Sequence, residues 1–221
     1  RLPMGLKVSP SIFQNIMAEV AGDLLNDRVS VYLDDLLTFD KTEDKALETI
    51  SKVLQRFQEQ GFKLNPAKCF LGRTSVKFLG YDIDQDGYKP SFDKTEAILK
   101  FSRPETIKQL RTFNGLVNFF HITTKDLQVK MAPLYKLTGK QEQVSRVEKS
   151  KVNWKPESIR AFQEVKDMMK TTAKNSFYSH DPDDRLYLST DSSLHGYGVV
   201  LSQFQKDKGR EVPLAYASGA Y

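Results

Sequence analysis

The stretch Val29-Ser30-Val31-Tyr32-Leu33-Asp34-Asp35-Leu36-Leu37-Thr38-Phe39 constrains this chain more than any other. β-branched, aromatic and other apolar residues flank two adjacent carboxylates, a pattern that predicts two buried strands meeting at a tight turn with Asp34 and Asp35 at its tip. Neighbouring ionised carboxylates repel one another unless a cation or water screens them. Magnesium takes carboxylate oxygens and leaves positions open for phosphates. An Asp-Asp hairpin is therefore one half of a candidate two-metal phosphoryl-transfer site. An ordinary polar turn explains the same residues, because Asp is a favoured turn residue.

Surrounding blocks shift that balance. Leu2-Pro3-Met4-Gly5-Leu6-Lys7-Val8-Ser9-Pro10-Ser11-Ile12-Phe13-Gln14 precedes the hairpin. Gly61-Phe62-Lys63-Leu64-Asn65-Pro66-Ala67-Lys68-Cys69 and Val76-Lys77-Phe78-Leu79-Gly80-Tyr81 follow it. Tyr-Leu-Asp-Asp resembles the metal-binding box of reverse transcriptases, and the other blocks resemble their neighbours in the expected order. The resemblance is to gypsy-type long-terminal-repeat retrotransposon polyproteins and runs over nearly the whole chain.

That resemblance implies Mg2+ at Asp34 and Asp35, with Gly5, Tyr32, Lys77 and Gly80 near nucleotide or primer. It implies RNA-directed DNA polymerase activity in the parent, with an RNA–DNA or RNA template–primer as partner. It also departs from the family pattern. Met4 stands where Phe is usual, Lys45 and Glu48 where a His is usual, and Phe119-Phe120-His121-Ile122 where aromatic residues precede basic ones.

With 221 residues, 39% hydrophobic and 28% charged, the chain can bury one or two cores. No apolar run reaches the length of a membrane span, and no signal peptide is evident. A net charge of +5 is compatible with phosphate contact without requiring it. Cys69 is the only cysteine, which excludes an intrachain disulfide and favours an intracellular setting, cytoplasmic or nuclear.

Periodicity predicts an α+β chain. A helix capped by Ser9 with Pro10 at its first position carries Ile12, Phe13, Ile16, Met17 and Val20 and ends at Gly22. A second, capped by Thr42, carries Leu47, Ile50, Val53, Leu54 and Phe57. Short strands are expected at Phe62–Leu64 and Cys69–Phe70, one strand over Val76–Ile83, and a turn at Asp86-Gly87. Helices then start near Ser91 and Pro104, and another follows Pro156 with Phe162, Val165, Met168 and Met169. Three strands close the sequence: one from Leu186 to Asp191, then Gly196–Leu201 and Val212–Ala217.

In family terms this is a partial reverse-transcriptase palm sheet with packing helices, a helical thumb and an incomplete RNase H-like antiparallel sheet. The divisions expected are palm 1–90, thumb-like helices 91–140, a linker 141–156, and a connection helix with the start of an RNase H-like domain, 157–221. Asp191 matches the first RNase H acid, although Ser192 replaces the usual Ala; a strand-end acid capping a turn is the alternative.

The family takes a third palm carboxylate from a strand preceding Leu2-Pro3 and further RNase H acids from later segments. The chain therefore reads as a piece of a retroelement polyprotein, inactive by itself. The alternative is a domesticated, non-catalytic scaffold that binds protein or nucleic acid. Its open sheet invites a protein partner or a second copy.

Overall fold

A computed structural model describes residues 3, 5–138, 150–172, 174–194 and 196–221. The chain is α+β and divides into two compact units, Arg1–Thr74 and Ser75–Tyr221. This division does not coincide with the boundaries expected at 90, 140 and 156. Residues 141–149 of the expected linker lie outside the described residues.

The first unit holds helix α1 (Ser9–Ala21), strands β1 (Val29–Tyr32) and β2 (Asp35–Thr38), and helix α2 (Glu43–Glu59). Its core joins Met17, Ala21 and Leu24 to Val29, Val31, Val53 and Phe57, with Phe13, Val20, Leu36 and Phe62 packed against it. Ser9 is not the cap of α1. Val8 holds that position without a side-chain bond, while the Ser9 hydroxyl donates to the Pro3 carbonyl at 2.7 Å. Thr42 does cap α2, accepting from the Lys45 amide. Both apolar stripes are only half used. Ile12 and Ile16 on α1, and Leu47 and Leu54 on α2, are exposed within a unit whose two-stranded ribbon covers one face only. The strands expected at Phe62–Leu64 and Cys69–Phe70 do not form. Pro66–Lys68 is instead a 3-10 turn, begun by Asn65 accepting from the Ala67 amide at 3.1 Å.

The second unit opens with a meander of β3 (Ser75–Phe78), β4 (Tyr81–Asp84) and β5 (Gly87–Pro90), ordered β3-β4-β5 and antiparallel. The single strand expected over Val76–Ile83 is broken by a two-residue turn at Leu79 and Gly80. Both have positive φ, 50° and 81°, the backbone that hairpin turns between twisted strands require. The next turn is Gln85-Asp86, and Gly87 already begins β5.

Helices α3 (Phe92–Lys100), α4 (Ile107–Asn118), α5 (Leu127–Thr138) and α6 (Pro156–Lys170) follow. Thr106 and Gln109 form a reciprocal capping box on α4. The core merges the expected thumb helices with the later one. Ile98, Leu110, Phe113, Val117, Met131 and Leu134 share it with Phe162, Val165 and Met169. A three-stranded antiparallel sheet, β6 (Leu186–Ser193), β7 (Gly196–Gln205) and β8 (Arg210–Ala220), completes the unit. All three strands run further than their apolar alternation indicated. β6 is exposed along its whole length.

Candidate functional site: an aspartate hairpin and an open sheet

The pairing Tyr32↔Asp35 closes β1 and β2 around a two-residue turn, Leu33-Asp34. Asp34 is thus in the turn and Asp35 is the first residue of β2. Leu33 has φ 53°, a left-handed backbone that costs an L-residue with a side chain about 1–2 kcal/mol. Gln14, from α1, supports this conformation. Its Oε1 accepts from the Leu33 amide at 2.6 Å and its Nε2 donates to the Val31 carbonyl at 3.1 Å. One side-chain amide therefore satisfies backbone groups on both sides of Tyr32 and holds the turn against the helix.

The remaining groups at the tip face outwards. Asp34, Asp35 and Tyr32 are exposed, Tyr32 by 54%. Among the described residues the two carboxylates have no ion-pair or hydrogen-bond partner, and no third His, Cys, Asp or Glu groups with them. At the hairpin's open end the Phe39 amide donates to the Arg28 carbonyl at 3.0 Å, and Arg28 lies 3.6 Å from the buried Asp40 carboxylate. The hairpin is thus held at both ends. Its acids keep all their oxygens available on a pre-shaped support, a donor set that fits a hard divalent cation.

Gly5 has φ 90° and open space where a Cβ would be, so its backbone is accessible. Replacing Gln14 by Ala leaves the strained turn without its donor and acceptor. Urea unfolding of this variant is expected to show a loss of about 1–3 kcal/mol in the transition of the first unit.

Lys77, Gly80 and Asp191 belong to the second unit. Lys77 is paired with Asp93, whose hydrogen bond holds the ammonium above the ordinary lysine range. A phosphate would have to compete with that carboxylate. A Cβ on Gly80 would meet the Phe119 ring at 3.3 Å. Tyr81 stacks on Phe119 and donates its hydroxyl to the Phe119 carbonyl at 3.1 Å.

Asp191 lies within β6 opposite Gly198, with Ser192 and Ser193 continuing the ladder, so it does not cap a turn. It lines an open hollow of about 450 Å³ with Thr190, Ser192, Tyr197, Gly198 and Val199. Opposed residues of an antiparallel pair share a sheet face. On the face of Gly198 sits the Asp126 carboxylate, whose Oδ1 would lie 2.7 Å from a Cβ there. Gln14 closes the first family-like block, but nothing in that block announced its contact with the hairpin turn. Gln14 acts through backbone groups 17 and 19 residues away.

The meander is tied to the last sheet by Lys174, Asn175 and Ser176. Lys174 Nζ donates to both oxygens of Asp84, at 2.8 and 2.6 Å. That hydrogen bond is the main reason the Asp84 carboxyl lies below its ordinary value of 3.8. A carboxylate depressed in the folded state stabilises above its unfolded value and loses that contribution as pH falls through the folded one. Hydrogen exchange at the Tyr88 and Asn175 amides is therefore expected to accelerate as pH falls below 3.8, beyond the change in intrinsic rate. In Asp84→Asn that extra step should be absent.

Comparisons with known proteins agree with this architecture. Residues 1–83 match the family model described as reverse transcriptase (RNA-dependent DNA polymerase). Residues 154–221 match the RNase H-like domain found in reverse transcriptase. The chain is 29% identical over 221 residues to the retrovirus-related Pol polyprotein from transposon opus of Drosophila melanogaster, covering 99% of the chain and 22% of that protein. It is 28% identical over 217 residues to the transposon Tf2-3 polyprotein of Schizosaccharomyces pombe, covering 98% and 16%. The chain therefore spans about a fifth of the length of these relatives.

Its structure is similar to the foamy viral protease-reverse transcriptase in complex with RNA/DNA hybrid, with TM-score 0.82, 26% identity, and coverage of 100% of this chain and 28% of that one. A complex of that protein with dsDNA gives TM-score 0.81 and 26% identity, covering 100% and 44%. A domesticated scaffold finds no support in these matches. No described helix is long and apolar enough to cross a membrane. With the aspartate hairpin inside residues 1–83 and the open sheet inside residues 154–221, the chain carries a segment similar to reverse transcriptase followed by one similar to the RNase H-like domain found in reverse transcriptase, as in retroelement polyproteins.

Proposed function

We propose that this chain is the palm, thumb and first RNase H-like part of an RNA-directed DNA polymerase of gypsy type, acting inside the cell. The observation that carries the reading is the Gln14-clamped turn presenting Asp34 and Asp35 with free oxygens. Those two carboxylates would hold Mg2+, together with acids contributed from elsewhere in the polyprotein. The cation would supply charge stabilisation for phosphoryl transfer when bound.

The residues of this chain contribute placement. Tyr32 and the backbone at Gly5 face the primer end and the incoming nucleotide. Lys77 and Gly80 present the β3–β4 turn to the primer strand, and Asp191 contributes the first acid of the RNase H-like sheet. The partner is an RNA–DNA or RNA template–primer, of the kind bound in the foamy viral complex. Support for these assignments comes from the order of the motifs and from the exposure of the two aspartates.

Primer extension on an RNA template with Mg2+ tests the proposal. The whole polyprotein is expected to extend. The 221-residue chain alone is expected not to, because Asp34 and Asp35 have no third acid beside them among the described residues. Extension by the chain alone, or none by the polyprotein, would count against the assignment.

A further inference from the structure

Asn175 is fully buried and sits where three parts of the second unit meet. Its backbone amide and carbonyl both pair with Tyr88 of β5, at 2.9 and 2.8 Å. Its Nδ2 donates to the Ile122 carbonyl at 3.0 Å and to the Leu214 carbonyl of β8 at 3.1 Å. The Tyr88 hydroxyl donates to the same Leu214 carbonyl at 2.8 Å. On either side, Lys174 holds Asp84, and the Ser176 amide donates to the Pro213 carbonyl at 2.8 Å. Three consecutive residues thus bridge the β4–β5 hairpin to the edge of the last sheet.

The Asn175 Oδ1 has no partner, and an unsatisfied buried oxygen costs about 1–3 kcal/mol. The side chain therefore adds little net stability. What its side-chain amide does is hold the Ile122 and Leu214 carbonyls to a residue whose backbone is paired with Tyr88.

We propose that Asn175 is a positioning residue that sets the spacing between the β3–β5 meander, which carries Lys77 and Gly80, and the sheet that carries Asp191. The functional consequence rests on the reading above, in which the meander meets the primer strand and the sheet meets the RNA strand. A duplex held by the meander then reaches the sheet in one register. RNA is cut at one main distance from the primer end. Without the bridge the same duplex reaches the sheet in several registers.

Two readouts separate this from a structural role. In the 221-residue chain with Cys69→Ser, spin labels at Gln85→Cys and Leu194→Cys should give one narrow distance distribution. Asn175→Ala should make it about two-fold broader, and Tyr88→Phe should broaden it less. Tyr88→Phe loses only a hydroxyl and keeps the ring, so it remains informative if Asn175→Ala fails to fold. In the whole polyprotein, both variants should spread the RNA cut sites while single-nucleotide addition and total cleavage stay near wild type.

An unchanged label distance in both variants overturns the proposal. A single cut register retained alongside a broadened distance overturns its functional consequence. Absence of RNA cleavage by the unmutated polyprotein counts against the functional reading alone, and the label distance still decides the role of Asn175.

Discussion

Asp34→Asn in the whole polyprotein is expected to lower primer extension by about a thousand-fold, with template–primer affinity little changed. The substitution keeps the size of the side chain and removes one negative charge from the turn. Asp34 is exposed and bonds to no other described residue, so neither the hairpin ladder nor the Gln14 clamp depends on it. Its loss should therefore leave folding intact and appear in the chemical step. About 4 kcal/mol of transition-state stabilisation corresponds to that factor. Asp35→Asn is expected to act in the same direction. Asp35 also begins β2, but its backbone pairing with Tyr32 does not involve the carboxylate. Single-turnover extension and duplex binding, measured side by side, separate the two effects. A variant that loses binding and rate together would place these acids in substrate affinity rather than in the reaction.

Gly87→Ala is expected to give the largest effect on stability. Gly87 has φ 145°, a backbone that L side chains rarely adopt. A Cβ there would also occupy the space of the Asn175 carbonyl. That carbonyl is the acceptor of the Tyr88 amide, so the collision is with the backbone bridge itself and not with a side chain that can turn away. Relief requires moving β5 away from residues 174–176. That movement also breaks the Lys174–Asp84 pair and the bond from Tyr88 to Leu214. A cost of about 3 kcal/mol or more follows, enough to lower the melting temperature of a unit this size by roughly 10 °C. Gly209→Ala has open space around its Cβ and φ 60°, in the left-handed region, and so reports the strain of a positive φ without the collision. Thermal unfolding should show it to be the milder change.

The elements of the chain could be read from its residues where a local rule and the tertiary contacts agree. Thr42 with an acidic first turn and the Leu110-Phe113-Val117 spacing became what they indicated, and the three last strands formed where expected though longer than their alternation. Reading failed where a local signal had a competitor. Ser9 looks like a cap, but its hydroxyl reaches Pro3 instead. Val76–Ile83 looks like one strand, because Leu79 gives no warning that it will adopt positive φ beside Gly80. Leu47 and Leu54 look like core, yet the ribbon beneath α2 covers only Thr49, Val53 and Phe57.

The site was legible in its acids and not in its supports. Asp34, Asp35 and Asp191 stand out by motif. Gln14 and Asn175 exert their effects across long sequence separations that no periodicity encodes. The tie between the meander and the later sheet was hidden for a related reason. The segment 174–176 joins the meander to the later sheet by hydrogen bonds between backbone groups, which carry no side-chain signature.

A thiolate at position 34 tests metal ligation by the hairpin most directly, because sulfur binds Mg2+ poorly and softer cations well. The Asp34→Cys polyprotein should be inactive in primer extension with Mg2+ and recover extension when Cd2+ or Mn2+ is added, while the unmutated enzyme gains nothing from the added cation. Extension by Asp34→Cys at the unmutated rate in Mg2+ alone would contradict a metal-holding role for the aspartate hairpin.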